Sequence, residues 1–155
     1  MTAVHKSLHD DIMERAERLC RERALKLTPM RRRVLEVLTL SHAPLSATAL
    51  IAAIGEGAEK PVSPILVYRA LDFLASAGLI HRLAARNAYV PCDHEHREDE
   101  TTVFLVCAHC GGVDEVASRE VEKGLEGSAT AAGFRPLART VEIEGECASC
   151  RAAGP

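Results

Sequence analysis

A chain of 155 residues with 47% apolar and 26% charged side chains has the composition of a soluble globular protein, long enough for one domain or two small ones. No apolar run approaches the roughly 20 residues of a membrane span and the polar start lacks a signal-peptide core, so a cytoplasmic protein with no membrane partner is expected. The net charge of −3 divides unevenly: residues 1–91 hold 13 Lys/Arg against 9 Asp/Glu and residues 92–155 hold 6 against 13, so only the first part has the sign to meet a polyanion.

The stretch from about Lys6 to Leu27 has no Gly or Pro and alternates apolar residues (Leu8, Ile12, Ala16, Leu19) with charges (Arg15, Arg18), which predicts an amphipathic helix. Cys20, inside it, reads as a small buried hydrophobe. "LTPMRRRVLEVL" predicts a second helix with Thr28 as N-cap, Pro29 in the first turn and Val34, Leu35 and Leu38 facing inward. "LSATALIAAIG" predicts a third, capped by Ser46 and stopped at Gly55. "VSPILVYRALDFLASAGLI" predicts a fourth, with Ser63 as cap, Pro64 at the first position and Gly78 as left-handed terminator. Val67, Leu71 and Leu74 then face the core, and Tyr68, Arg69 and Asp72 face out. "LIHRLAARNAYVPC" follows as two short β-prone runs around a turn near Arg86-Asn87. Helix-turn-helix plus hairpin is a winged-helix pattern, whose second helix enters the major groove of double-stranded DNA. Tyr68 and Arg69 are the candidate DNA-reading residues, and Arg31, with Arg32 and Arg33, a candidate phosphate grip.

Six cysteines in a reducing compartment argue for metal ligands before disulfides. "CAHC" and "CASC" place Cys107-x2-Cys110 and Cys147-x2-Cys150 on either side of 36 residues. Two such knuckles converging make a tetrahedral thiolate cage, the closed arrangement of structural zinc. Between them "GGVDEVA" predicts a strand, "SREVEKGLEGSATAAG" a helix with Val121, Leu125 and Ala129 on one face, and "FRPLARTVEIEG" a strand with Leu137, Val141 and Ile143 on one side. His109, between two ligands, is expected to point outward and bind nothing. Cys92, His94 and His96 remain unclaimed in "CDHEHREDE", with His81 on the wing and Glu115 after the first knuckle. A mixed set drawn from wing, linker and second domain makes a second metal site, and thiolate with imidazole suits zinc.

These motifs, in this order, resemble the ferric uptake regulator superfamily and within it the zinc uptake regulator branch. "LTPMRRRVL" looks like that family's second-helix signature, "VYRALDFL" like its recognition helix, and "CAHCGGVDE" with "CASC" like its structural zinc site. The resemblance implies an α+β protein: a winged-helix DNA-binding domain over 1–91, a ligand-bearing hinge over 92–101 and a C-terminal α/β dimerisation domain over 102–155 with its four-cysteine structural zinc site. It implies a homodimeric repressor that binds operator DNA when zinc-loaded and represses zinc uptake genes, with two Zn(2+) per monomer. By position, Cys107, Cys110, Cys147 and Cys150 match the structural ligands, and His81, Cys92 and Glu115 match three regulatory ligands. Glu100 stands where a histidine is expected as the fourth, so His96 is favoured there, with His94 or Glu100 as alternates. Ile65-Leu66 stand where small polar residues commonly precede the Tyr-Arg pair. An iron, manganese or peroxide sensor of the same superfamily is the alternative. No Ser/His/Asp set or phosphate loop supports an enzyme, and no small-molecule substrate is expected. A zinc enzyme using Cys92 and a zinc-stapled interaction module are the rivals from other classes.

Overall fold

The computed structural model describes residues 3–41, 43–56, 58, 60–93, 101–136 and 139–153 (side chains from residue 8). The chain divides into two compact units, Met1–Glu95 and His96–Pro155, each built from helices and a small sheet. The fold class is α+β, with a winged-helix unit first and a cysteine-knuckled sheet unit second.

In unit 1, α1 spans Ala3–Glu22, α2 Pro29–Leu40, β1 Leu45–Ser46, α3 Ala47–Gly55, α4 Pro64–Ser76, β2 Ile80–Leu83 and β3 Ala88–Pro91. Helix α1 ends five residues before the expected Leu27. No Gly or Pro signals the stop: Ala24 itself takes the left-handed seat (φ 51°), and Leu25 N–H reaches back to the Cys20 carbonyl at 2.8 Å. The caps of α2 and α3 form as expected, Thr28 accepting from Arg31 N–H at 3.5 Å and Ser46 from Ala49 N–H at 3.1 Å. Ser63 occupies the N-cap position of α4 but makes no side-chain cap bond. Gly78 (φ 72°) closes α4: its N–H bonds to Ala75 and Leu79 N–H bonds to Leu74, the paired arrangement that reverses a chain at a helix end.

That reversal feeds the wing. The β2–β3 hairpin pairs His81 with Val90 and Leu83 with Ala88, turning through Asn87 in the left-handed region (φ 46°). The two-residue β1 adds to β3, giving the order β1-β3-β2. The core beneath comprises Ile12 and Ala16 of α1, Val34, Leu35 and Leu38 of α2, Leu50 of α3, and Val67, Leu71 and Leu74 of α4, none more than 1% exposed. Cys20 is buried as expected, and burial pushes its thiol up against the opposing charge of Arg31.

In unit 2, β4 spans Thr102–Cys107, β5 Val113–Ala117, α5 Arg119–Ala131, β6 Thr140–Gly145 and the short α6 Ala148–Ala153. Strand β4 is central, antiparallel to β5 and parallel to β6, with α5 on the connection between β5 and β6. The expected strand–helix–strand between the knuckles is present as β5, α5 and β6, whereas Leu137 lies outside the described residues. Among the described residues this unit buries four apolar side chains, all on β4 (Val103, Phe104, Val106, Cys107), against twenty in unit 1. None of α5 is buried, and Val116, Leu125, Phe134 and Ile143 are 37–68% exposed. A unit this poor in core needs a metal staple, a second copy, or both.

Candidate metal centres and reading helix

The sheet register brings the two knuckles together. β4 and β6 run parallel with Cys107 opposite Gly145, and Ala108 N–H donates to the Gly145 carbonyl at 2.8 Å. Cys147 therefore emerges beside the end of β4. Gly111 (φ 74°) turns the first knuckle, its N–H bonding the Cys107 carbonyl at 3.0 Å, and α6 carries Cys150 back, its N–H 3.4 Å from Cys147 Sγ. The four sulfurs lie within 4.8 Å of one another. Sulfurs about 2.3 Å from a tetrahedral centre stand about 3.8 Å apart, and Cys110 and Cys147 Sγ are 3.9 Å apart. The donor set and its spacing fit structural zinc. Backbone N–H groups of Cys110, Cys147 and His109 hold the Cys107 thiol down to about 6, whereas hydrogen bonding to Cys147, Cys110 and Cys107 pushes Cys150 up to about 12. A bound cation overrides this ordering by deprotonating every thiol, so acid opposes loading. His109 faces solvent as expected but does not stand idle: its Nε2 is 2.7 Å from Glu146 Oε1, tying one knuckle to the approach of the other, and Glu146 raises its pKa.

A second ligand cluster starts on the wing. His81 lies on β2 opposite Val90, and Cys92 continues β3, its N–H bonded to the Leu79 carbonyl at 3.0 Å. Opposite residues of a hairpin share a face, so His81 and Cys92 are diagonal neighbours on one side of the wing. Their ligand atoms lie within 4.8 Å of each other, with Cys92 buried and His81 half-buried. Glu115 stands half-buried on β5 of unit 2, opposite Phe104 in the β4 register. His94, His96 and Glu100 lie outside the described residues.

The sequence reading missed Arg15. It is 8% exposed, donates from Nη2 to the Cys92 carbonyl, and sets Nη1 3.7 Å from Cys92 Sγ. The signal was present: Arg15 falls three residues after Ile12 and four before Leu19, inside the apolar stripe of α1, where a charge must be partnered. Arg15→Ala is expected to destabilise unit 1 by about 2 kcal/mol, the range for a buried hydrogen bond from a charged donor. Urea unfolding of the metal-free protein checks this, and an unchanged midpoint would show that the tether contributes nothing.

On α4, Tyr68 is 49% exposed and Arg69 and Asp72 are exposed, while Val67, Ala70, Leu71 and Leu74 are inward. The three arginines opening α2 all have intramolecular partners. Arg31 lies 3.5 Å from the centroid of the Phe73 ring and donates to the Lys26 carbonyl at 2.5 Å, Arg32 pairs with Glu17 at 2.6 Å, and Arg33 with Glu36 at 3.5 Å. Arg31 thus braces α2 against α4. No helix of the described residues is long and apolar enough to cross a membrane.

A winged-helix unit followed by a thiolate-caged sheet unit defines a metal-binding protein with a nucleic-acid-reading scaffold. Known proteins bear this out. The model of the ferric uptake regulator family matches residues 22–144. The zinc uptake regulation protein of Escherichia coli (strain K12) is 33% identical over 147 residues, covering 95% of this chain and 85% of its own. A solved zinc uptake regulator complexed with zinc and DNA superposes with a TM-score of 0.86 at 32% identity, covering 94% of this chain and 96% of the other. The crystal structure of holo XcZur gives 0.80 at 39%, covering 90% and 96%. The chain belongs to the ferric uptake regulator family.

Proposed function

We propose that this protein is a zinc-responsive transcriptional repressor that binds operator DNA as a homodimer when zinc-loaded and shuts off zinc uptake genes. The single observation carrying the reading is that His81 and Cys92 share one face of the wing that directly follows the exposed Tyr68-Arg69 helix. Metal ligands are thereby built into the DNA-reading unit itself. Similarity to zinc uptake regulators, one of them complexed with zinc and DNA, supports the same reading.

Two zinc ions per chain are proposed. Cys107, Cys110, Cys147 and Cys150 hold the structural one. His81, Cys92 and Glu115 hold the regulatory one together with His96, for which His94 or Glu100 are the alternates. At the regulatory set, thiolate, imidazole and carboxylate donors would hold zinc, which would supply a Lewis-acid centre binding all of them at once. Cys92 and His81 orient the wing, and Glu115 anchors from β5. A palindromic operator requires the two recognition helices of a dimer at fixed separation. Ligand bonds to residues of both units would favour one such separation. If the competent arrangement is a minor state, the gain in DNA affinity is bounded by the inverse of its population. The exposed apolar side chains of unit 2 (Val116, Leu125, Phe134, Ile143) are the surface proposed for the partner copy. Thiolate beside imidazole favours zinc over the iron or manganese of sister sensors. Family membership argues for regulation and against catalysis.

Tyr68 and Arg69 are proposed as the base-reading pair, with Arg31 at the edge of the interface holding α4 through Phe73. Arg69→Ala is expected to weaken binding to a duplex selected from a randomised pool by roughly 5- to 150-fold, corresponding to about 1–3 kcal/mol for a bidentate base contact. Zinc content and dimerisation should be unaffected. Equal affinity in a titration at fixed salt would mean that another element reads the bases.

A further inference from the structure

We infer that Ile65 and Leu66 are sequence-reading residues of α4 that recognise thymine methyl groups in the major groove, an inference that rests on the operator-binding role proposed above. Ile65 is 64% exposed and Leu66 48%, on a helix whose core-facing residues Val67, Ala70, Leu71 and Leu74 are at most 2% exposed. Large aliphatic side chains in water gain free energy when a partner covers them, and their position says which partner. At 100° per residue, Ile65 shares its face with Tyr68 and Arg69, three and four positions on, and Leu66 lies beside Arg69, three positions on. The two therefore extend one continuous surface with the proposed base-reading pair. They also occupy the first turn of α4, and the N-terminal residues of a recognition helix are those that meet base edges.

The chemistry then narrows the target. Neither side chain has a donor or acceptor, so neither can read purine N7, guanine O6 or an exocyclic amine. The one major-groove feature that rewards apolar contact is the C5-methyl of thymine. Placing Ile-Leu here selects operators with thymine next to the base read by Arg69, and excludes cytosine, whose amino group would lose water against a carbon surface.

The test uses a duplex selected by the zinc-loaded wild-type protein from a randomised pool, then remade with deoxyuridine replacing thymidine one position at a time. That replacement removes only the methyl. Wild-type protein should lose about fourfold in affinity at one or two positions per half-site, the equivalent of one buried methyl (roughly 0.8 kcal/mol at 1.4 kcal/mol per tenfold). The Ile65→Ser/Leu66→Ser double variant should bind both duplexes equally while keeping its zinc dependence. Indifference of the wild type to every replacement would overturn the inference. So would full discrimination by the double variant, which would assign the methyls to Tyr68 or another residue. If the wild type selects no duplex at any zinc level, the operator-binding role falls and this inference with it.

Discussion

Cys107→Ser is expected to remove one zinc per chain, unfold unit 2 at room temperature and abolish the dimer. The size of the effect follows from how little else holds that unit. Its buried apolar side chains among the described residues are four, all on β4, and α5 buries none. Structural zinc in small domains contributes an apparent ~10–16 kcal/mol of folding free energy at neutral pH, more than the few kcal/mol that a core of this size supplies. Cys107 is the most buried of the four ligands, and it also accepts the Cys147 N–H at 3.4 Å, so its loss removes both a sulfur and one of the links between knuckles. Calorimetry with zinc analysis checks this. A variant retaining the wild-type zinc content and melting profile would mean that the cage is not the staple.

The second large effect is of a different kind. Cys92→Ser is expected to leave a folded dimer with its four-cysteine zinc intact, to lose the other zinc, and to weaken zinc-dependent operator binding by about 5- to 150-fold, the usual range of coupling between sites. The fold should survive because what Cys92 gives unit 1 is mostly backbone. Its N–H completes the wing ladder at Leu79 and its carbonyl accepts from Arg15, and serine keeps both. What serine lacks is the thiolate. By reciprocity the wild-type protein should hold its regulatory zinc more tightly on DNA, by the same factor. Unchanged duplex binding at limiting free zinc would remove Cys92 from sensing.

The sequence made much of this arrangement readable, and where it did not the reasons are physical. Val67, Leu71 and Leu74 carry helical periodicity so plainly that the exposed Tyr68-Arg69 face could be assigned by exclusion. The paired x2 spacings identified the cage because each knuckle supplies two sulfurs locally, and only the return of the chain had to be inferred. Strand β4 escaped notice because "TVFLVC" is a continuous apolar run without alternation, the pattern of a strand buried on both faces. The end of α1 is hidden because Ala24 adopts a left-handed conformation usually left to glycine. The partner of Arg15 could not be named from the sequence because Cys92 is 77 residues away. The stacking of Arg31 on Phe73 could not be read because that ring belongs to another helix. Each of these depends on tertiary contact, which local pattern does not encode.

The most direct test follows zinc stoichiometry and duplex binding together through a chelator titration. Two zinc ions per chain are expected, of which mild chelation removes one; DNA is released in step with that loss, and a folded dimer with a single tightly held zinc remains. One zinc per chain throughout, with duplex binding indifferent to added metal, would contradict it.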